Sequence, residues 1–257
     1  MKRYILTFTV LLASIALMQA QDVLRPSGKR SVRTVEVPRY EKLLLDDSSI
    51  KIVLVDGTNN KITVDADDAM HPIIKTQVKD GVLRVFLDDG RAVSMIETGG
   101  IKVKIPMRNV EEVATKGFIT LSSEGVLRLD NCKLLLDNTS STNLDLDGED
   151  LTLKYTVAKG KVNVRCHRLT LEMTIARDFQ ISGRTDELTL KTGSDLKAYD
   201  LRVEKATLDA SGIGKIYLNV EDEIKGKVSG IMEVHLRGEA TNLLQTDGSK
   251  AVVIREK

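Results

Sequence analysis

Leu151-Thr152-Leu153, Leu169-Thr170-Leu171, Leu188-Thr189-Leu190 and Ala206-Thr207-Leu208 are the units that decide the fold. They belong to a series that opens with Leu134/Leu136 and closes with Ile224/Gly226, in steps of 17, 18, 19, 18 and 18 residues. A second series interleaves with it: Leu144/Leu146, Val162/Val164, Phe179/Ile181, Leu196/Ala198, Ile216/Leu218 and Val234/Leu236. A fixed internal period of this size marks a stacked architecture. Within each unit the apolar residues sit two apart, so their side chains share one face of a strand. The residue between them points away, and it is polar at Thr152, Thr170, Thr189, Asp145, Asn163 and Gln180. A helix would instead repeat apolar residues at three and four positions.

The period predicts an all-β chain, a right-handed parallel β-helix-like solenoid over residues 110–240. Each coil of about 18 residues carries two short strands and two corners, with ~4.8 Å between stacked strands. Right-handed winding follows from the general handedness of parallel connections. Small or glycine residues mark the corners at Asn138-Thr139-Ser140, Tyr155-Thr156, Met173-Thr174, Thr192-Gly193, Ser211-Gly212-Ile213-Gly214 and Ser229-Gly230-Ile231. Upstream, residues 32–109 alternate less regularly and are expected to form an N-terminal mixed/antiparallel β cap. Lys79-Asp80-Gly81 signals a hairpin there, and residues 88–100 form an acidic loop. Residues 241–257 form a C-terminal cap or tail, with a last strand over Ala251–Ile254 covering the open end.

Residues 1–20 read as a secretory signal: Lys2 and Arg3, an apolar run from Tyr4 to Met18, and Ala20 before Gln21. Residues 21–31 read as a flexible lead. Without Lys2 and Arg3 the chain carries 36 basic and 37 acidic residues. That balance argues against a nucleic-acid partner, and no second apolar stretch is long enough to span a membrane. Aromatic residues make up 4% with no Trp, which argues against a stacking platform for sugars or bases. Cys132 and Cys166 lie about two coils apart, ~9.6 Å, beyond the ~7 Å Cα limit for a disulfide. Two free, largely buried thiols are expected.

No chemical constellation emerges. His71, His167 and His235 are scattered and read as surface or loop residues, without metal-ligand spacing. Asp145, Asp147, Glu149 and Asp150 read as a solvated acidic corner rather than a calcium site. Glycan-cleaving chemistry needs a carboxylate pair in a cleft, and nothing flags one. Asn138-Thr139-Ser140 matches a glycosylation sequon but reads as a turn. Ser211-Gly212-Ile213-Gly214 lacks the Lys-Ser/Thr pair of a phosphate loop. No catalytic, cofactor-binding or metal residue is assigned, and no cofactor is expected.

Asp209-Ala210-Ser211-Gly212-Ile213-Gly214-Lys215-Ile216-Tyr217-Leu218, followed by Ile224 to Glu239, resembles the end of the head GIN domain family (DUF2807), auto-transporter adhesin proteins common in Bacteroidetes-type bacteria. Val78-Lys79-Asp80-Gly81-Val82-Leu83-Arg84-Val85 and Ile101-Lys102-Val103-Lys104-Ile105-Pro106 fit its first half, so the resemblance covers Val32 to Glu239. It departs at Asn138, Tyr155 and Met173, where the usual Ser-Gly-x-Gly corners are replaced, and at Ala240, where proline is common. The resemblance implies an exported, all-β, stacked protein. The expectation is a non-enzymatic envelope or surface protein of the periplasm or cell exterior, an adhesin or binding scaffold whose partner is a protein or glycan at the envelope. The alternatives are a glycan-binding or glycan-active protein, and a periplasmic scaffold or sensory protein that self-associates through stacked edges.

Overall fold

The computed structural model describes residues 26–57, 60–88, 100–137, 141–247 and 250–256. The expected signal at 1–20, the sequon at 138–140 and most of the acidic loop fall outside them. Alternating apolar and polar residues generate strands throughout: in Ile50-Lys51-Ile52 the isoleucines are buried and Lys51 is exposed. The strands are β1 (Arg30–Glu36), β2 (Lys42–Leu45), β3 (Ile50–Val55), β4 (Lys61–Asp67), β5 (Ile74–Lys79), β6 (Val82–Leu87) and β7 (Ile101–Pro106). There follow β8 (Glu112–Thr115), β9 (Thr120–Glu124), β10 (Leu127–Leu136), β11 (Ser141–Thr192), β12 (Leu196–Arg237), β13 (Thr241–Asp247) and β14 (Val252–Arg255). One 3-10 turn, His71–Ile73, interrupts them.

β11 and β12 are too long to be straight. They bend, and segments about one period apart lie side by side. Lys154 reaches Glu172 at 3.0 Å, Arg165 reaches Asp147 at 3.1 Å, and Asn163 donates to Asp145 at 2.9 Å. Between elements the register is parallel: Cys132 opposes Leu151, Leu134 opposes Leu153, Leu188 opposes Ala206 and Leu190 opposes Leu208. The inward residues of both series, from Leu134 to Leu236, are buried apart from Gly226. Burying one leucine gains about 1.5–3 kcal/mol, while ordering each residue's backbone costs about 1–2 kcal/mol. One turn of chain with four inward aliphatics therefore cannot hold itself, and neighbours are required.

The expected right-handed parallel β-helix-like solenoid with an N-terminal mixed/antiparallel β cap is corrected. All fourteen strands belong to one sheet, ordered β1-β4-β7-β3-β9-β11-β10-β8-β2-β6-β5, with β12 to β14 joined through β11. The eleven strands of that path wrap about 300° around one axis, a nearly closed barrel rather than a linear stack with a lid. The N-terminal strands are built into the wall: β2 and β10 flank β8, and β7 and β9 flank β3, all in parallel. Among the described residues antiparallel pairing is confined to β1 with β4, β4 with β7, and β5 with β6. The physical reason is that a period specifies which residues become neighbours, not how the resulting sheet closes. Ile52 pairs with Leu121 and Leu43 with Val113 across long stretches of chain that carry no period.

The β5–β6 hairpin turns at Asp80 (φ 51°) and Gly81 (φ 74°), two left-handed residues matched to the strand twist. β1 starts at Arg30, inside the expected flexible lead, and the chain is already fixed at Ser27 and Gly28. Their backbone N–H groups donate to Asp67 at 2.7 and 2.8 Å.

Candidate functional site

Thr115, Leu136 and Tyr155 lie in register, and so do Thr192 and Ala210: Thr115 opposes Leu136, Leu136 opposes Tyr155, and Thr192 opposes Ala210. The chain therefore turns at the same level each time, and the turns form one long edge. Gly193, Gly212 and Gly230 bring successive turns into backbone contact. A Cβ on Gly212 would overlap Gly193 O and lie 2.9 Å from Gly193 C, and one on Gly230 would overlap Gly212 O. Ile213 N donates to Gly193 O at 3.4 Å, Ala176 N to Ser194 Oγ at 3.1 Å, and Lys215 N to Asp195 Oδ1 at 2.7 Å. With backbones that close, the side chains beside the glycines have only solvent to enter.

Along this edge stand Phe118 (66% exposed), Ile175 (42%), Ile213 (73%) and Ile231 (49%). Among the described residues the other large exposed apolar side chains are Val32 on β1 and Leu243, Val252 and Ile254 at the C-terminal end. Half of that exposed apolar set thus falls on one line, which scattered surface residues would not do. From Phe118 to Ile231 the line crosses about six strand spacings, ~29 Å. Beside it runs a shallow groove of about 490 Å³, lined by Lys116, Lys154, Tyr155, Glu172, Met173 and Lys191 among others. Tyr155 is buried at its floor, tilted against Phe179 at 5.1 Å between ring centroids, and burial pushes its hydroxyl well above the usual tyrosine range.

A second concavity of about 900 Å³ lies where the chain around Arg39–Lys42, Met107–Glu112 and Arg128–Lys133 converges. Arg108 and Arg128 both reach Asp56 beside it, at 3.6 and 2.8 Å. Glu41, Glu112 and Asp130 share its wall with Arg39 and Lys133, so it presents both signs of charge.

The residues weighed from sequence are placed as follows. Asp145, Asp147, Glu149 and Asp150 lie in β11 rather than in a turn, and three of the carboxylates are engaged sideways: Asp145 by Asn163, Asp147 by Arg165, Asp150 by Arg168. His71 is buried in the 3-10 turn rather than exposed, with Nε2 3.1 Å from both Ser31 Oγ and Ser31 O. His167 Nδ1 lies 2.8 Å from Asp186, a hydrogen bond that raises the imidazole pKa. Cys132 and Cys166 are free and buried, and burial pushes the Cys132 thiol up to about 12. Among the described residues no group of three His, Cys, Asp or Glu side chains could hold a metal, and no helix is long and apolar enough to cross a membrane.

Sequence reading missed two features. Ile213 and Ile231 fall within the expected corners, but nothing in the sequence marks them as part of an exposed apolar line. Tyr199, Tyr217 and His235, 18 residues apart, form an outward column, with ring centroids 5.2 and 4.7 Å apart. Arg237 covers Tyr199 at 3.8 Å, and His235 Nδ1 lies 2.9 Å from Glu256. The rings face one another and Arg237, a closed column rather than an open stacking surface.

The family model described as "Putative auto-transporter adhesin, head GIN domain" (DUF2807) matches residues 39–240. A search of curated proteins gives no match. Among solved structures, a protein of Parabacteroides distasonis described as a "putative lipid binding protein" superposes with a TM-score of 0.74 at 15% identity, covering 92% of this chain and 100% of its own. A "putative adhesin" from Parabacteroides merdae gives 0.65 at 16% identity over 92% and 100%. A "putative adhesin" from Bacteroides fragilis gives 0.51 at 20% identity over 90% and 98%. At these identities the three structures establish a shared fold. The family match is the broader finding: this chain belongs to the head GIN domain family, and with it to the exported proteins of the bacterial envelope or surface.

Proposed function

We propose that the protein is a binding protein of the envelope whose contact face is the edge carrying Phe118, Ile175, Ile213 and Ile231, together with the groove beside it. One observation carries this reading: exposed apolar side chains gather on a single line of turns ~29 Å long, where a surface evolved only for solubility would disperse them. Relatives described as adhesins and as lipid-binding suit a protein that works through an exposed edge rather than a deep cleft. The test is binding of the mature protein to intact cells or an envelope fraction. Ile213→Asp/Ile231→Asp is expected to abolish binding while leaving the melting temperature within a few degrees, since both side chains are already exposed. Undiminished binding by that variant would overturn the assignment. The larger concavity supports a second reading, a polar ligand such as a glycan. Binding on a glycan array that is lost in Arg39→Ala/Lys133→Ala, and kept in the edge variant, would favour it.

A further inference from the structure

We infer that the partner of the apolar edge is the surface of an anionic lipid bilayer; this rests on the contact-face reading above. The ridge carries Phe and Ile, residues that enter the acyl boundary, with exposed Asp195 standing among them in the turn between Ile175 and Ile213.

Its flanks carry charge of the complementary sign. Through the turns from Lys116 to Asp195 the exposed basic side chains are Lys116, Lys154, Lys159, Lys161, Arg177 and Lys191, against Asp137, Glu172, Asp178 and Asp195. Lys154 is engaged by Glu172 at 3.0 Å. Asp195 accepts from the Lys215 backbone N–H through Oδ1 at 2.7 Å and stays exposed. Further along, Lys215 and Glu233 pair at 2.8 Å. The basic excess therefore lies toward the Phe118–Ile175 half, in a chain whose net charge is only +1. Long basic side chains on either side of a shallow apolar ridge can reach lipid phosphates while the ridge sits at headgroup depth. The contact is peripheral: the barrel wall stays outside the bilayer and only turn residues enter it.

The experiment is co-sedimentation of the mature protein with vesicles of phosphatidylcholine alone and of phosphatidylcholine with about one-third phosphatidylglycerol, with binding to the anionic vesicles expected to be roughly tenfold stronger. Ile213→Asp/Ile231→Asp should cut the fraction bound to anionic vesicles by about tenfold or more. Ile213→Ser/Ile231→Ser, which adds no charge, should reduce it less but clearly. Lys159→Glu/Arg177→Glu should remove the preference for anionic over neutral vesicles. Wild-type protein left in the supernatant with anionic vesicles would overturn the lipid assignment. If the isoleucine variants still lose envelope binding in that case, the contact face stands and its partner is a protein or glycan. If they lose neither, both readings fall.

Discussion

Gly226 and Gly81 offer a paired test of how tightly neighbouring segments approach. Both have positive φ, 128° and 74°. Around Gly81 there is open space: a Cβ would meet nothing within 4 Å. At Gly226 a Cβ would overlap Leu208 O outright and lie 2.8 Å from Leu208 C and 2.9 Å from Leu208 N. These are backbone atoms of a segment held on its other side by the pairing of Leu208 with Leu190, so they cannot swing away as a side chain could. Gly226 also opposes Leu244 of β13, so any shift passes to the C-terminal strand. Left-handed backbone costs an L-residue about 1–2 kcal/mol, partly offset by about 0.4–1 kcal/mol from the stiffer unfolded chain. Gly81→Ala should therefore cost about 1 kcal/mol or less. Gly226→Ala adds displacement of a packed backbone, of the same order as overpacking a core, about 1–3 kcal/mol. Its total should reach about 3 kcal/mol. Urea unfolding of the mature protein, followed by far-UV circular dichroism, measures both through their midpoints at unchanged m. Equal midpoints for the two variants would show that Leu208 and Gly226 are not in backbone contact, and the register of β12 would have to be redrawn.

Asp67 gives a pH-dependent prediction. Burial pushes its carboxyl up, but hydrogen bonds from Ser27 N and Oγ, Gly28 N and Ala69 N outweigh burial and hold the pKa down at about 2. A folded pKa below the unfolded value of about 3.9 stabilises the fold above that unfolded value, and the contribution is lost as pH falls through about 2. The melting-temperature gap between wild type and Asp67→Asn should thus be constant near neutrality and shrink from about pH 5 downward; a gap that widens in acid contradicts the assignment. The cysteines give a second prediction. With the Cys132 thiol pushed up to about 12 by burial, and further by Glu112 and Glu111, the native protein should resist thiol reagents at about pH 8. Both cysteines should react once the chain is unfolded, and fast labelling of native protein would place Cys132 at the surface.

How much of this was legible beforehand follows from what each residue had to encode. Leu151, Leu169 and Leu188 announced an inward face because burial demands apolar side chains at every turn of the period, and Asp80-Gly81 announced a hairpin because few pairs accept two left-handed residues. Closure of the sheet was not legible. The pairings of Ile52 with Leu121 and of Leu43 with Val113 are made by ordinary alternating strands with many equally apolar alternatives, and only the three-dimensional competition among them selects one. The contact face was hidden for a different reason. A turn isoleucine and a strand isoleucine look alike in sequence; what separates Ile213 from Ile216, three residues on and fully buried, is that Gly212 and Gly214 bring the turn against Gly193, Ser194 and Asp195, so that no side chain at position 213 could point inward. The signal was present as an apolar residue locked between glycines, at a site where solubility alone would have favoured a polar one. Such a residue is informative because neither the turn nor the core requires it, and what remains to account for it is contact with something outside the chain.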